Sequence, residues 1–479
     1  MSIPNKLGGL IRQSGLTDWP EQLKMSVERG MEQRVRLAVT GLSRSGKTVF
    51  ISALARHLLQ SEQGRSLPFF AAASEGRIVA TRDVSTESPS PFPLQQSLAG
   101  LQASPPHWPD STEALSEIRL ALRYRRKPGL GRALGEYSTL YLDLIDYPGE
   151  WLLDLPMLTL SFEQWCKQQQ TLFASLPRTE VAADWIAQQS GIDWLAPAPE
   201  GLRQQLTERY RSLLQQLREP PYNLSLLQPG RLLMPAELAG SPLLDLFPII
   251  QNWPEAPENA DTNSLFTQLQ QAYNDYCEQV VRPFYRNHFR HFDRQIVLVD
   301  CLKTLNSGES CFNDMQLALT TLLHSFQYGR NSLFRRLFRP RINRVLFAAT
   351  KADHVTANQH HNLDQFLRLM IEAAQREIRF EQVDTRCLAL SSLRATEAAQ
   401  ARLDGQHLSC LRGHRKDTGE EIALFPGEVP TELPRAEDWN SDRFRFVDFA
   451  PRPLPAGTLR PEHHIRLDQA IEYLLGDLF

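Results

Sequence analysis

The chain has 479 residues, enough for a large buried core and two or three domains. Its 42% hydrophobic and 22% charged residues exclude an intrinsically disordered chain, and a formal net charge of −3 removes any global reason to expect nucleic acid. Six widely spaced cysteines, with no C-x-x-C pair, exclude a zinc site of the usual spacing and read as reduced thiols of a cytoplasmic protein. The first residues lack the apolar run of a signal peptide, and no stretch reaches the roughly 18–20 apolar residues of a membrane span.

Residues 1–34 predict a helical extension, with Leu7, Leu10, Ile11, Leu23, Met25, Val27 and Met31 at loose helical spacing. Val35–Thr40 then alternates as a buried strand, and Phe50, Ala53, Leu54, His57 and Leu58 recur with helical period. Between them lies Gly41-Leu42-Ser43-Arg44-Ser45-Gly46-Lys47-Thr48. Strand, G-x-x-x-x-G-K-T, helix is the context of a phosphate-binding loop. Its glycines let the N–H groups of residues 41–49, Val49 included, curl around phosphate oxygens at a helix N-terminus. Lys47 reaches the β- and γ-phosphates, and the Thr48 hydroxyl holds Mg²⁺. Arg44 could act as a cis arginine near the β/γ bridge or point to solvent.

Residues 61–111 are rich in Ser, Pro and Ala and predict a long irregular connection, functional or mobile, ending in Trp108-Pro109-Asp110-Ser111-Thr112. Thr112 is the candidate for the switch group that meets Mg²⁺ and the γ-phosphate; a turn threonine is the bland alternative. Two strands follow, from Ile118 and from Ser138 to Asp146, close enough to pair as a hairpin. The second delivers Asp146-Tyr147-Pro148-Gly149. There a carboxylate holds Mg²⁺ through water and the Gly149 N–H meets the γ-phosphate. Glu150 stands where small GTPases place a water-orienting glutamine; it either orients water or forms a structural ion pair. Trp108 and Trp151 read as core residues.

Helical patterns over 202–217 and 265–281, separated by Pro/Gly-rich connectors, make residues 151–290 an inserted helical segment. Strands are expected at 295–300, 344–349 and 386–390, with helices at 312–326 and 362–379 between them. The second strand runs into Thr350-Lys351-Ala352-Asp353 and the third into Ser391-Ser392-Leu393. Asp353 can accept from the N1–H and exocyclic amine of guanine, Lys351 can lay its stem along the base, and a backbone N–H of 391–393 can meet the guanine carbonyl. Thr350 replaces the commoner asparagine. Arg330, Arg335, Arg336, Arg339, Arg341 and Arg344, interleaved with Leu333, Phe334, Leu337 and Phe338, form a solvated basic face or a contact with the inner face of an anionic membrane. His360-His361 and His463-His464 read as surface or capping residues. Residues 401–460 carry short β candidates such as 421–425, and an amphipathic helix from Ile465 closes the chain.

The phosphate loop, W-P-x-x-T at 108–112, D-Y-P-G-E-W at 146–151, L-L-Q-P-G-R at 226–231, A-A-T-K-A-D-H at 348–354 and H-I-R-L-D at 464–468 together resemble the YcjX-like stress-response GTPases, bacterial P-loop proteins. The resemblance implies GTP binding and slow hydrolysis with Mg²⁺. The expected fold is α/β: a P-loop GTPase-like, mostly parallel sheet with helices on both faces, a large helical insertion and a small β-rich appendage. The expected boundaries are a core of 35–150 and 291–400, an insertion of 151–290 that binds an unknown protein partner, an appendage of 401–460 and a closing helix of 461–479. The alternatives are an ATPase using the same loop, or a nucleotide-loaded scaffold with incidental hydrolysis.

Overall fold

The structure, a computed structural model, describes residues 32–42, 45–85, 90–110, 113–128, 135–327, 342–376, 384–403, 406–440 and 443–479. The helical extension up to residue 31, Ser43, Arg44, Thr112 and the arginines at 330, 335, 336, 339 and 341 lie outside them.

A seven-stranded sheet in the order β2-β3-β4-β1-β5-β6-β7 forms the centre. Its strands are β1 (Gln33–Gly41), β2 (Ile78–Asp83), β3 (Ser116–Arg125), β4 (Tyr137–Asp146), β5 (Arg294–Val299), β6 (Arg344–Ala349) and β7 (Asp384–Ala389). β1 runs parallel to both β4 and β5, and β5, β6 and β7 continue in parallel. β3 and β4 make the expected antiparallel hairpin, Ile118 opposite Leu144 and Leu122 opposite Leu140. A second, three-stranded antiparallel sheet joins β8 (Glu397–Leu403), β9 (Gln406–His414) and β10 (Glu421–Leu424).

Alternation along the strands sends side chains to two cores. Val35, Leu37 and Val39 of β1 and Leu140, Leu142 and Leu144 of β4 pack under helix α1 (Lys47–Leu59), helix α2 (Leu94–Gln102) and the C-terminal helix. Ala38 and Ile145 point the other way. There they meet α3 (Glu150–Leu153), α4 (Phe162–Phe173), α5 (Leu202–Arg218), α6 (Leu265–Tyr276), α7 (Glu309–Gln327) and α8 (His360–Arg376). The buried apolar side chains of residues 151–290 therefore belong to one continuous core with the sheet. Trp165, Tyr210, Tyr273 and Tyr276 are among its fully buried members, and burial of each such ring stabilises by roughly 1.5–3 kcal/mol.

The closing helix, α9 (Leu467–Leu475), lies on the α1 side, where Leu467, Ile471 and Leu474 are buried. His464, buried rather than at the surface, accepts from the Leu467 N–H through Nδ1 (3.3 Å) and so caps this helix. Arg294 and Arg344 both reach Asp477 at 2.8 Å and tie the chain end to β5 and β6.

The connection over 61–111 departs from expectation, because it contains β2 and α2. β2 is an edge strand paired with β3, and of its residues only Ile78 is buried, so no alternation betrays it. In α2 the signal was present: Leu94, Leu98 and Leu101 recur at helical spacing, hidden among the surrounding prolines.

Candidate functional site

Five parallel strands bring their C-terminal ends to one edge of the sheet, with β1 between β4 and β5. Chain segments leaving a central strand in opposite directions open a crevice at this edge, where open α/β sheets bind their ligands.

The phosphate-loop residues are shaped for that crevice. A Cβ at Gly41 would lie 1.9 Å from the Ser45 hydroxyl and 3.0 Å from the Leu298 carbonyl oxygen, so glycine alone fits. Gly46 takes φ 85°, in the left-handed region, as the N-cap of α1. No side chain caps this 13-residue helix and its first turn holds no acid. The N–H groups following Gly46 and the positive helix end are thus offered to an anion. Ser45 Oγ is buried without a hydrogen-bond partner among the described residues. Lys47, half-buried, and Val49 follow within the same turn.

Thr48 is buried, and its hydroxyl donates to the Asp110 carbonyl at 3.2 Å. The segment that leads into Ser111 and Thr112 therefore crosses the start of α1. Asp146 ends β4 fully buried, and in register it stands opposite Val39 of β1. One carboxylate and one threonine hydroxyl, with phosphate oxygens and water, make a donor set that suits Mg²⁺. Among the described residues no three His, Cys, Asp or Glu side chains group to hold a metal by themselves.

Gly149 abuts the phosphate loop directly, since a Cβ there would meet the Gly41 carbonyl oxygen at 2.4 Å. Glu150 is buried and paired with Arg218, the last residue of α5, at 3.1 Å. Arg218→Gln would leave this carboxylate without its cation in a largely dry setting. The expected cost is about 1–3 kcal/mol in urea unfolding, below the full buried-pair value because Arg218 is partly exposed. An unchanged unfolding midpoint would show that the pair contributes nothing.

Beyond Glu150 the chain is clamped by residues 226–234, some 75 positions away. Trp151 Nε1 donates to the Met234 carbonyl at 3.0 Å, and the Arg231 guanidinium stacks on the Trp151 ring, 3.3 Å from its centroid. The Gln228 amide donates to the Leu153 carbonyl. Asp154 accepts from the Gly230 N–H at 2.8 Å and from the Tyr276 hydroxyl at 2.6 Å. Complete burial pushes the Asp154 carboxyl up to about 6, against the pull of these donors. Gly230 has no room for a side chain, because a Cβ would sit 2.2 Å from the Glu150 carbonyl oxygen.

At the far side of the edge, Thr350 ties β6 to β5 by donating its N–H to the Val299 carbonyl (3.0 Å). Lys351 follows with φ 61°. Its ammonium lies 2.8 Å from Asp300 and 2.6 Å from Asp448. Burial opposes its charge, and the two carboxylates overcome that, raising Lys351 above its ordinary range. Asp353 is buried; Oδ2 accepts from the Ala395 N–H at 2.7 Å and Oδ1 lies 3.3 Å from His354 Nδ1. Burial would raise this carboxyl, but His354 and its hydrogen-bond donors lower it to about 2. Ser391 commits its N–H to the Ile465 carbonyl (3.0 Å) and its hydroxyl to the Leu393 carbonyl (3.0 Å).

Sequence reasoning did not single out Asp154, Arg218, Asp300 or Asp448. Asp300 had a signal, as the polar residue ending a buried strand; it caps the following helix through the Lys303 N–H at 3.0 Å.

The YcjX-like family, DUF463, matches residues 35–479. The chain is similar to the "Ras-like GTPase YcjX" of Escherichia coli (strain K12), at 43% identity over 95% of this chain and 98% of that protein. It is also similar to the "Ras-like GTPase YcjX" of Shewanella oneidensis, at 39% identity over 94% and 96% of the two chains.

Proposed function

This chain belongs to the YcjX-like family, and from that membership we propose that it binds guanine nucleotide and hydrolyses GTP to GDP and phosphate. The observation that carries the reading is the uncapped start of α1, between Asp146 on one side and the Lys351–Asp353 loop on the other. Phosphates lie on the N–H groups of the loop from Gly41 to Val49, with Lys47 between the β- and γ-phosphates. Thr48, Thr112 and Asp146 would hold a Mg²⁺, which would neutralise phosphate charge. Asp353 takes the guanine N1–H and amine; the donor to the guanine carbonyl is the N–H of Ser392 or Leu393, because that of Ser391 is engaged with Ile465.

Gly149 is the γ-phosphate sensor, and its contact with Gly41 supports that role. Glu150 is held by Arg218, which favours the structural ion pair over water activation. Core segments 35–150 and 291–400 bind the nucleotide. Residues 151–290 are the output element and the surface for a protein partner, because α3 runs from the sensor straight into the 226–234 clamp.

Phosphate release from GTP tests the enzyme reading. Turnover should stop when Mg²⁺ is chelated and should persist in excess ATP. Competition by ATP at equal concentration would instead favour the ATPase alternative.

A further inference from the structure

The segment 443–457 leaves the three-stranded sheet and crosses the rim of the nucleotide crevice. It is tied to β9 and the turn after it by Ala450 N–H to the His414 carbonyl (2.8 Å) and by Lys416 N–H to the Asp448 carbonyl (2.9 Å). Asp448 then pairs with the Lys351 ammonium. Phe449 is buried; its N–H points to His354 Nε2 (3.4 Å) and its ring meets the His354 ring edge-on at 5.2 Å. Its carbonyl accepts from Trp108 Nε1 at 3.0 Å, three residues before Ser111. Farther along, Leu454 N–H reaches the Leu101 carbonyl (2.9 Å), and Arg56 of α1 donates to the Pro455 and Gly457 carbonyls at 2.7 and 2.9 Å.

The same short stretch therefore touches the base-reading loop, the chain that leads to Thr112, and the phosphate-loop helix. We propose that this strap is a gate on guanine-nucleotide exchange: with Asp448 and Phe449 seated it bridges the two banks of the crevice, and it lifts for nucleotide to enter or leave. The inference rests on the reading that Lys351 and Asp353 take the base. Two features set the gate apart from a fixed wall. Lys351 has a second carboxylate, Asp300, at the end of rigid β5, so it stays paired when Asp448 withdraws. Over the crevice itself the strap is held by the Trp108 hydrogen bond, the packing of buried Phe449 on His354 and one pair in which Asp448 is 54% exposed, while its two ends are anchored by Phe446 and Leu454, buried one in each core, and by the Arg56 guanidinium. A barrier built from such contacts changes entry and exit rates together and leaves the affinity nearly constant.

Stopped-flow fluorescence with N-methylanthraniloyl-GDP and Mg²⁺ on the full chain tests this. Asp448→Asn keeps the shape of the strap and removes its charge; Trp108→Phe removes the indole donor together with part of the ring that packs on the core. Each should raise both association and dissociation rates roughly 3- to 5-fold, the rate equivalent of a half-exposed ion pair or one hydrogen bond, with Kd within about two-fold. Should Trp108→Phe fold poorly, Arg56→Gln releases the far anchor and should do the same. Unchanged rates in nucleotide-binding variants overturn the gate alone. A faster dissociation with unchanged association, so that Kd rises in step, also overturns it and makes Asp448 a positioning residue for Lys351. A wild-type chain that does not bind the fluorescent nucleotide sinks the base reading and the gate together.

Discussion

Lys47→Ala should bind GTP at least roughly 100-fold more weakly while unfolding at nearly the wild-type urea midpoint, as loss of the charged hydrogen bonds to two phosphates is worth about 3 kcal/mol or more. The fold is expected to survive because Lys47 is only half-buried at the first position of α1 and packs in neither core. The helix start keeps its N–H groups and its dipole, so residual anion binding persists, but the ammonium that spans β- and γ-phosphates is gone. Titration of each protein with a fluorescent GTP analogue, beside the unfolding curve, checks both parts. Wild-type affinity in this variant would remove the phosphate-loop reading.

Asp353→Asn should exchange one base for another, losing roughly 100-fold in GTP affinity and gaining for xanthosine triphosphate. The carboxylate only accepts, which matches the N1–H and amine of guanine, whereas an amide can donate to the carbonyl that xanthine carries instead. The local structure accepts the swap with one adjustment. An asparagine oxygen can still accept from the Ala395 N–H, but its NH₂ then faces His354 Nδ1, which carries the ring proton while Nε2 accepts from the Phe449 N–H, so the imidazole must change tautomer and give up that bond. Competition of the two triphosphates for the same fluorescent probe reads the ratio directly. A variant that keeps its preference for guanine would place base recognition elsewhere on the chain.

Much of the geometry at this edge of the sheet was legible because the residues that shape it are local in sequence. Gly41, Gly46, Lys47 and Thr48 fall within eight residues, and Asp146 and Asp353 each follow a strand whose apolar run announces it. Glycine demands at 41 and 46 are demands of the turn itself, so they are written where the turn is. The clamp on residues 150–154 was not legible in this way. Gly230 is required by the Glu150 carbonyl 80 residues earlier, and Asp154 is satisfied by backbone N–H groups and by the Tyr276 hydroxyl, 122 positions away. The 226–231 stretch could be recognised as a motif, yet its spacing carries no clue to what it touches. Asp448 was hidden for a similar reason. A lone carboxylate in a proline-rich stretch has no period, and its meaning comes from Lys351, 97 positions away. β2 was missed because an edge strand with one buried residue looks like a loop.

The close approach of Gly149 to Gly41 decides which substitution can test the switch. Gly149→Ala would drive a methyl to 2.4 Å from the Gly41 carbonyl oxygen and so disturb the phosphate loop along with the sensor. The cleaner comparison is between ligands on the unaltered chain. A ligand shifts a two-state element only by its differential contacts, and the proposed contact of the γ-phosphate with the Gly149 N–H would exist with GTP and not with GDP.

Hydrogen exchange of the wild-type chain, loaded in turn with GDP and with a non-hydrolysable GTP analogue, is therefore the most direct measurement of the central claim that nucleotide state is relayed from Gly149 to the insertion. Slower exchange with the GTP analogue is expected across residues 146–160, and also across 226–234, which are joined to the proposed sensor through Glu150, Trp151, Leu153 and Asp154. Identical exchange in the two states over both segments would contradict it.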